Sequence, residues 1–177
     1  MTDRMNAFTN ETIITDGLPR AEDVPMKPLS PSYPTIQIIM TLIMASAPTL
    51  VATVLYLVDA PVLITYYVQW IYIGAAILLI AGYFWCHLDA KHRGYAIREQ
   101  DILYKSGVIW RTVVAVPFNR LQHAELHRGP LERLFNLSSL RLFTAGGLKA
   151  DMTIPALPET DAIRVREYVL SRASLSA

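Results

Sequence analysis

Between Ile36 and Cys86 the chain carries a single charged residue, Asp59. Asp59-Ala60-Pro61 divides this stretch into two apolar runs, 36–58 and 62–86. A bilayer core of about 30 Å needs roughly 20 helical residues, so each run is long enough to cross. The first contains eleven Ile, Leu and Val residues. At roughly −0.3 to −0.6 kcal/mol each near a helix centre, these outweigh Gln37 and Thr41 near the end of the run. An aspartate at mid-bilayer costs about 3 kcal/mol on the same scale, which places Asp59 at a water interface. Pro61 stops one helix and suits the first turn of the next. The spacing predicts a membrane hairpin with almost no loop at its far end.

The flanks set its orientation. Lys91, His92, Arg93 and Arg98 follow the second run closely, whereas the connection holds only Asp59. The excess of basic residues on cytoplasmic loops then puts the carboxyl-terminal half in the cytoplasm, and two crossings return the amino terminus there too. Residues 1–35 mix acids, bases and five prolines without apolar periodicity, the composition of a flexible cytoplasmic tail. Ala45-Ser46-Ala47 imitates a signal-peptidase site, but the leading region is long and Pro48 follows the cut, so the helix is expected to stay uncleaved. Pro48 should kink that helix, with Ser46 or Thr49 satisfying freed backbone groups. Tyr66, Tyr67, Trp70 and Tyr72 toward one end of the second run, and Tyr83, Phe84 and Trp85 at the other, form interfacial aromatic belts.

From Gly94 the pattern becomes one of short β-type segments. Strands are expected at 95–98, 102–105, 108–116, 121–127, 140–144 and 150–154. Turns fall at Glu99-Gln100-Asp101, Gly107 and Gly146-Gly147. In the third segment Val108, Trp110, Thr112, Val114 and Val116 share one face. In the fourth, Ala124 and Leu126 alternate out of step with Leu121. Gly129-Pro130 opens a helical turn over 131–135, closed by Asn136 in the left-handed conformation. Pro155 and Pro158 bracket a connection into a final helix, 159–172, whose apolar face is Ala162, Val165, Tyr168 and Val169. The fold class is therefore α+β: a two-helix transmembrane hairpin, 36–88, followed over 89–177 by a small β-barrel or sandwich capped by the carboxyl-terminal helix.

Four segments in order resemble the bacterial PH-like family, and more closely its YdbS-like members. They are Tyr95-Ala96-Ile97-Arg98-Glu99, Val116-Pro117-Phe118-Asn119-Arg120-Leu121-Gln122, Gly129-Pro130-Leu131-Glu132-Arg133-Leu134-Phe135 and Leu142-Phe143-Thr144-Ala145-Gly146-Gly147. Leu121 and Asn136 stand where that family usually has isoleucine and glycine. The resemblance implies a bent, seven-stranded, partly open barrel capped by the carboxyl-terminal helix, in a protein located at the bacterial cytoplasmic membrane. It also implies a membrane partner, either a longer relative with several PH-like units or further copies of the chain. It does not import phosphoinositide binding. The turn equated with the phosphate-binding turn of lipid-binding PH domains is Glu99-Gln100-Asp101, which is acidic.

Enzyme chemistry is not expected. His123 and His127 would lie about 13 Å apart along a strand. His87, Asp89 and His92 form at most a poor chelate, and Cys86 is the single cysteine. No phosphate loop, nucleophile elbow or carboxylate pair occurs, so no cofactor or metal is expected. A net charge of +1 gives no field for nucleic acid. The expected function is an assembly or scaffolding subunit that presents a PH-like module at the membrane. The rival readings are a lipid-sensing module and a non-catalytic subunit of a membrane enzyme. The candidate membrane-surface contacts are Lys91, Arg93 and Arg98, and the candidate partner patch is Arg120, Gln122, Glu132 and Arg133.

Overall fold

The computed structural model describes residues 24–58, 61–145 and 150–176. Two long helices form the hairpin, α1 (Tyr33–Leu57) and α2 (Val62–His92). Tyr33–Leu57 and Tyr66–His92 are both long and apolar enough to cross a membrane, and few of their residues are buried. Exposed Leu, Ile, Val and aromatic side chains cover their outer faces. The helices approach closely where Gly82 meets Thr41, since a β-carbon on Gly82 would lie 2.9 Å from the Thr41 methyl. Pro48 stays inside α1. Nearby hydroxyls turn back onto the backbone, Ser46 donating to the Ile43 carbonyl and Thr49 to those of Ala45 and Ser46. Asp59 and Ala60 lie outside the described residues.

At 1.5 Å per residue, the 31 residues of α2 span about 46 Å, roughly 16 Å more than a bilayer core. The helix runs six residues past Cys86, so the segment assigned to the domain from residue 89 begins inside it. Strands β2 (Gly94–Ile97), β3 (Asp101–Ser106) and β4 (Thr112–Pro117) follow, then a 3-10 turn, Phe118–Arg120. Next come β5 (Leu121–His127), α3 (Pro130–Leu134), β6 (Leu137–Thr144), β7 (Met152–Pro158) and α4 (Glu159–Ser176).

Residues 24–35 do not form the flexible tail expected from their prolines. Lys27–Pro28 makes a strand, β1, paired antiparallel with Tyr95 and Gly94. The Ser30 amide reaches the Ala156 carbonyl, and Leu29 and Tyr33 are buried in the domain core. The long-range partners offset the ordering entropy that composition alone could not. Gly94 is required at this seam, because a β-carbon there would sit 2.9 Å from the Met26 β-carbon. Residues 1–23 lie outside the described residues.

The strands form two antiparallel sheets, ordered β1-β2-β3-β4 and β5-β6-β7. Among the described residues no ladder joins them, so the sheets are not closed into a barrel. The gap is filled by side chains instead. Ile102, Leu103, Leu140, Leu142, Ile154, Leu157 and Val169 are fully buried. Helix α4 packs on the second sheet through Ala162, Val165 and Val169, while Tyr168 lies edge-on to Phe118.

Three further expectations change. Residues 108–111 are a turn rather than the start of a strand, since Gly107 adopts φ +97° and redirects the chain. Pro155 and Pro158 lie within β7, an edge strand that can spare their missing amide hydrogens. The out-of-step pattern of β5 arises from a register shift between Leu121 and His123, which lets Leu121 and Ala124 both face inward. Asn136 has φ 52°, as its place after α3 predicts. The Gly146-Gly147 turn lies outside the described residues.

Candidate functional site

The hairpin and the domain meet at a buried polar cluster. Asp89 sits one turn before the end of α2, its side chain only 6% exposed. It accepts a hydrogen bond from the Tyr33 hydroxyl at 2.9 Å and another from Arg93 Nε at 2.6 Å. Arg93, four residues later, also donates to the Tyr104 hydroxyl of β3 at 2.7 Å and lies over the Tyr33 ring. Gln37 donates to the Tyr33 hydroxyl at 2.7 Å. Helix α1, helix α2 and the first sheet are thus tied together through one carboxylate and one guanidinium. Burial acts to lower the Arg93 pKa, but the Asp89 hydrogen bond and the facing Tyr104 hydroxyl outweigh it and hold the group firmly cationic. The Tyr104 hydroxyl is pushed up, chiefly by burial.

A groove of about 480 Å³ opens beside this cluster. One wall is α1, through Tyr33, Ile36, Gln37 and Met40, and the other is the α3 turn with Thr153, Pro155 and Ala156. Arg93 lies in its lining, and Met40 is half exposed. An apolar concavity with a few convergent polar groups is the usual form of a binding site. On the other side of Arg93, a depression of about 280 Å³ is rimmed by Lys91, His92 and Lys105.

The structure separates the sequence-predicted residues. Lys91 is exposed beside the end of α2. Arg93 turns inward to Asp89 and Tyr104. Arg98 is held by both oxygens of Asp101 at the far end of β2, opposite the membrane hairpin. Its pKa is raised by that pairing. Arg120 and Gln122 stand at one end of the β5–β6 ladder, near Ala145, while Glu132 and Arg133 stand at the other. Glu132 closes α3 by accepting from the Gly129 amide at 2.7 Å and ties it to β6 through the Ser139 hydroxyl at 2.5 Å. It also lines the groove.

His123 and His127 do not converge: His123 lies near Glu125 and against the Phe143 ring. Among the described residues no set of three metal-ligating side chains is assembled, Asp89 being turned away from His87 and His92. Sequence reasoning missed the Asp89–Arg93 pair, although an acid four residues before a base at a helix end is a visible signal.

Strand order also corrects the comparison drawn for the acidic turn. Glu99-Gln100 joins β2 to β3, whereas the first strand connection, β1 to β2, is the membrane hairpin itself. The acidic turn therefore does not occupy the place of a first-hairpin phosphate loop. That place is filled by two helices.

The sequence model of the bacterial PH domain family matches residues 36–173. The UPF0699 transmembrane protein YdbS of Bacillus subtilis (strain 168) is 30% identical over 126 residues, covering 67% of this chain and 77% of the relative. No solved structure matches.

Proposed function

We propose, because the chain belongs to the bacterial PH domain family and fastens its domain to a membrane hairpin, that it is an assembly subunit. In this reading it spans the cytoplasmic membrane twice, keeps both termini in the cytoplasm and presents the PH-like module there. The junction groove carries the proposal. One wall belongs to the anchor and the other to the module, so an occupant must itself lie at the membrane surface. A juxtamembrane segment of another membrane protein fits that position, whether from a longer relative with several PH-like units or from a second copy. The tie through Asp89 and Arg93 supports this, since it fixes the α1 wall to the end of α2 and to the first sheet beside the groove.

Affinity purification from detergent-solubilised membranes should recover a stoichiometric membrane partner, and Leu131→Arg in the groove wall should lose it. A partner-free monomer under mild extraction would overturn the proposal.

A second reading, recognition of anionic headgroups, is favoured by Lys91 and Lys105 beside the helix end. Its weak point is that Arg93 and Arg98 are both paired internally. In nanodiscs, an unchanged thermal midpoint of the full chain as anionic lipid is added would count against it.

A further inference from the structure

The turn between β3 and β4 exposes two large apolar side chains next to each other, one of them the most exposed large apolar residue among the described residues. Trp110 is 84% exposed and Ile109 is 65% exposed. Soluble domains seldom leave a tryptophan so bare, and none of the strands or helices described covers it. The turn is tightly built. Gly107 has φ +97°, and a β-carbon there would lie 1.9 Å from the Trp110 carbonyl oxygen. The tip is therefore held out by its backbone.

Its place in the fold indicates what it meets. Lys105 pairs with Gly94, two residues after α2 ends, so the carboxyl end of β3 lies at the hairpin end of the sheet. Ser106 and Thr112 form the last rung, and the five residues of the turn extend further in that direction. At 3.3–3.4 Å per residue the backbone of the turn stands at most about 12 Å beyond Gly94, and less in so compact a turn. The distance to be covered is of the same order. Helix α2 overhangs a bilayer core by about 16 Å, of which the headgroup layer takes roughly 5–8 Å. The charges agree as well, since Lys105 and Arg111 flank the tip and Lys91 projects from the adjoining helix end. Cations at headgroup level beside a buried tryptophan are how proteins seat themselves in an interface.

We infer that Ile109 and Trp110 insert into the interface of the same bilayer leaflet from which α2 emerges. They make a third point of membrane contact, beyond the hairpin's two helices, that fixes the tilt of the PH-like domain. This contact is independent of the assembly reading. It requires no partner, and the loss of a partner would leave it in place.

The test uses the full chain in nanodiscs with Trp70 and Trp85 replaced by phenylalanine, so that emission reports Trp110 alone. The expected result is quenching by lipids bearing a nitroxide high on the acyl chain, several-fold stronger than quenching by aqueous iodide. Lys105→Glu with Arg111→Glu should reverse that ratio in anionic membranes. Strong iodide quenching without lipid quenching would overturn the inference. So would protection from both quenchers, which would mean that protein covers the tip. Should the double phenylalanine chain fail to fold, a nitroxide on Trp110→Cys, with Cys86→Ser, gives the same depth by comparing oxygen and nickel-chelate collisions. A water-phase nitroxide there would equally overturn it.

Discussion

Asp89→Ala is the change that most directly loads the junction. It removes the acceptor for two hydrogen bonds, from Tyr33 at 2.9 Å and Arg93 at 2.6 Å, at a site only 6% exposed. Breaking a buried ion pair from one side costs about 3–5 kcal/mol, because the surviving charge loses its partner. Arg93 keeps the Tyr104 bond and a quarter of its side chain in water, which argues for the lower end, about 3 kcal/mol. For a chain of this size that lowers the thermal midpoint by roughly 6–12 °C. Circular dichroism melts in matched detergent would show it, and trypsin should cut faster after Lys91 and Arg93. Asp89→Asn, which keeps an acceptor, should fall between the two. The double change Asp89→Ala/Arg93→Ala should be milder than the sum of the singles by about 1–3 kcal/mol, since no unpaired charge remains. An Asp89→Ala shift below about 2 °C, or strict additivity in the cycle, would refute the reasoning.

Other expectations follow from single contacts. Gly107→Ala should destabilise the domain by about 2 kcal/mol, through the positive φ and the clash with Trp110, measurable in the same melts. Gly94→Ala should push β1 off the sheet, seen as faster hydrogen exchange in the peptide containing Lys27 to Ser30 while β3 stays protected. The Lys27–Asp161 pair at 2.8 Å, which ties β1 to α4, should be pH-dependent at both extremes. Hydrogen bonding to Lys27 holds the Asp161 pKa below its ordinary 3.8, so this contribution is present above that value and fades as pH falls through the lowered one. Lys27 is raised above 10.5 chiefly by the Asp161 bond, so its share is present below that value and fades as pH rises through the raised one. The difference in midpoint between the wild type and Asp161→Asn should be small, about 2–4 °C at most, since so exposed a pair contributes no more than about 1 kcal/mol. It should be flat between the two ordinary values and close as pH falls through the lowered carboxylate value.

The parts legible in the sequence were those governed by local pattern. The apolar runs marked both long helices, and Gly107, Asn136 and the β-branched segments marked most of the sheet positions. The face of α4 showed in Ala162, Val165 and Val169. What stayed hidden depends on distant pairing. Lys27–Pro28 has no strand signature, and becomes a strand only because Gly94 leaves room for it across the membrane hairpin. The separation of Arg120 from Glu132 likewise depends on the length of the β5–β6 ladder. The groove needed α1 and α3 to be brought together, which no spacing within either one specifies.

The central claim is that the membrane hairpin is built into the first strand connection of the PH-like domain, with β1 before it and β2 after it. Cysteines at Lys27 and Tyr95, directly paired across these strands, test this in native membranes of a Cys86→Ser chain. Antiparallel partners lie within disulfide reach. Lys105→Cys with Val113→Cys, paired between β3 and β4, serves as the positive control. The predicted result is a rapid intramolecular disulfide under mild oxidation, bridging the two sides of the hairpin. Efficient crosslinking of the control without any 27–95 disulfide would contradict the account.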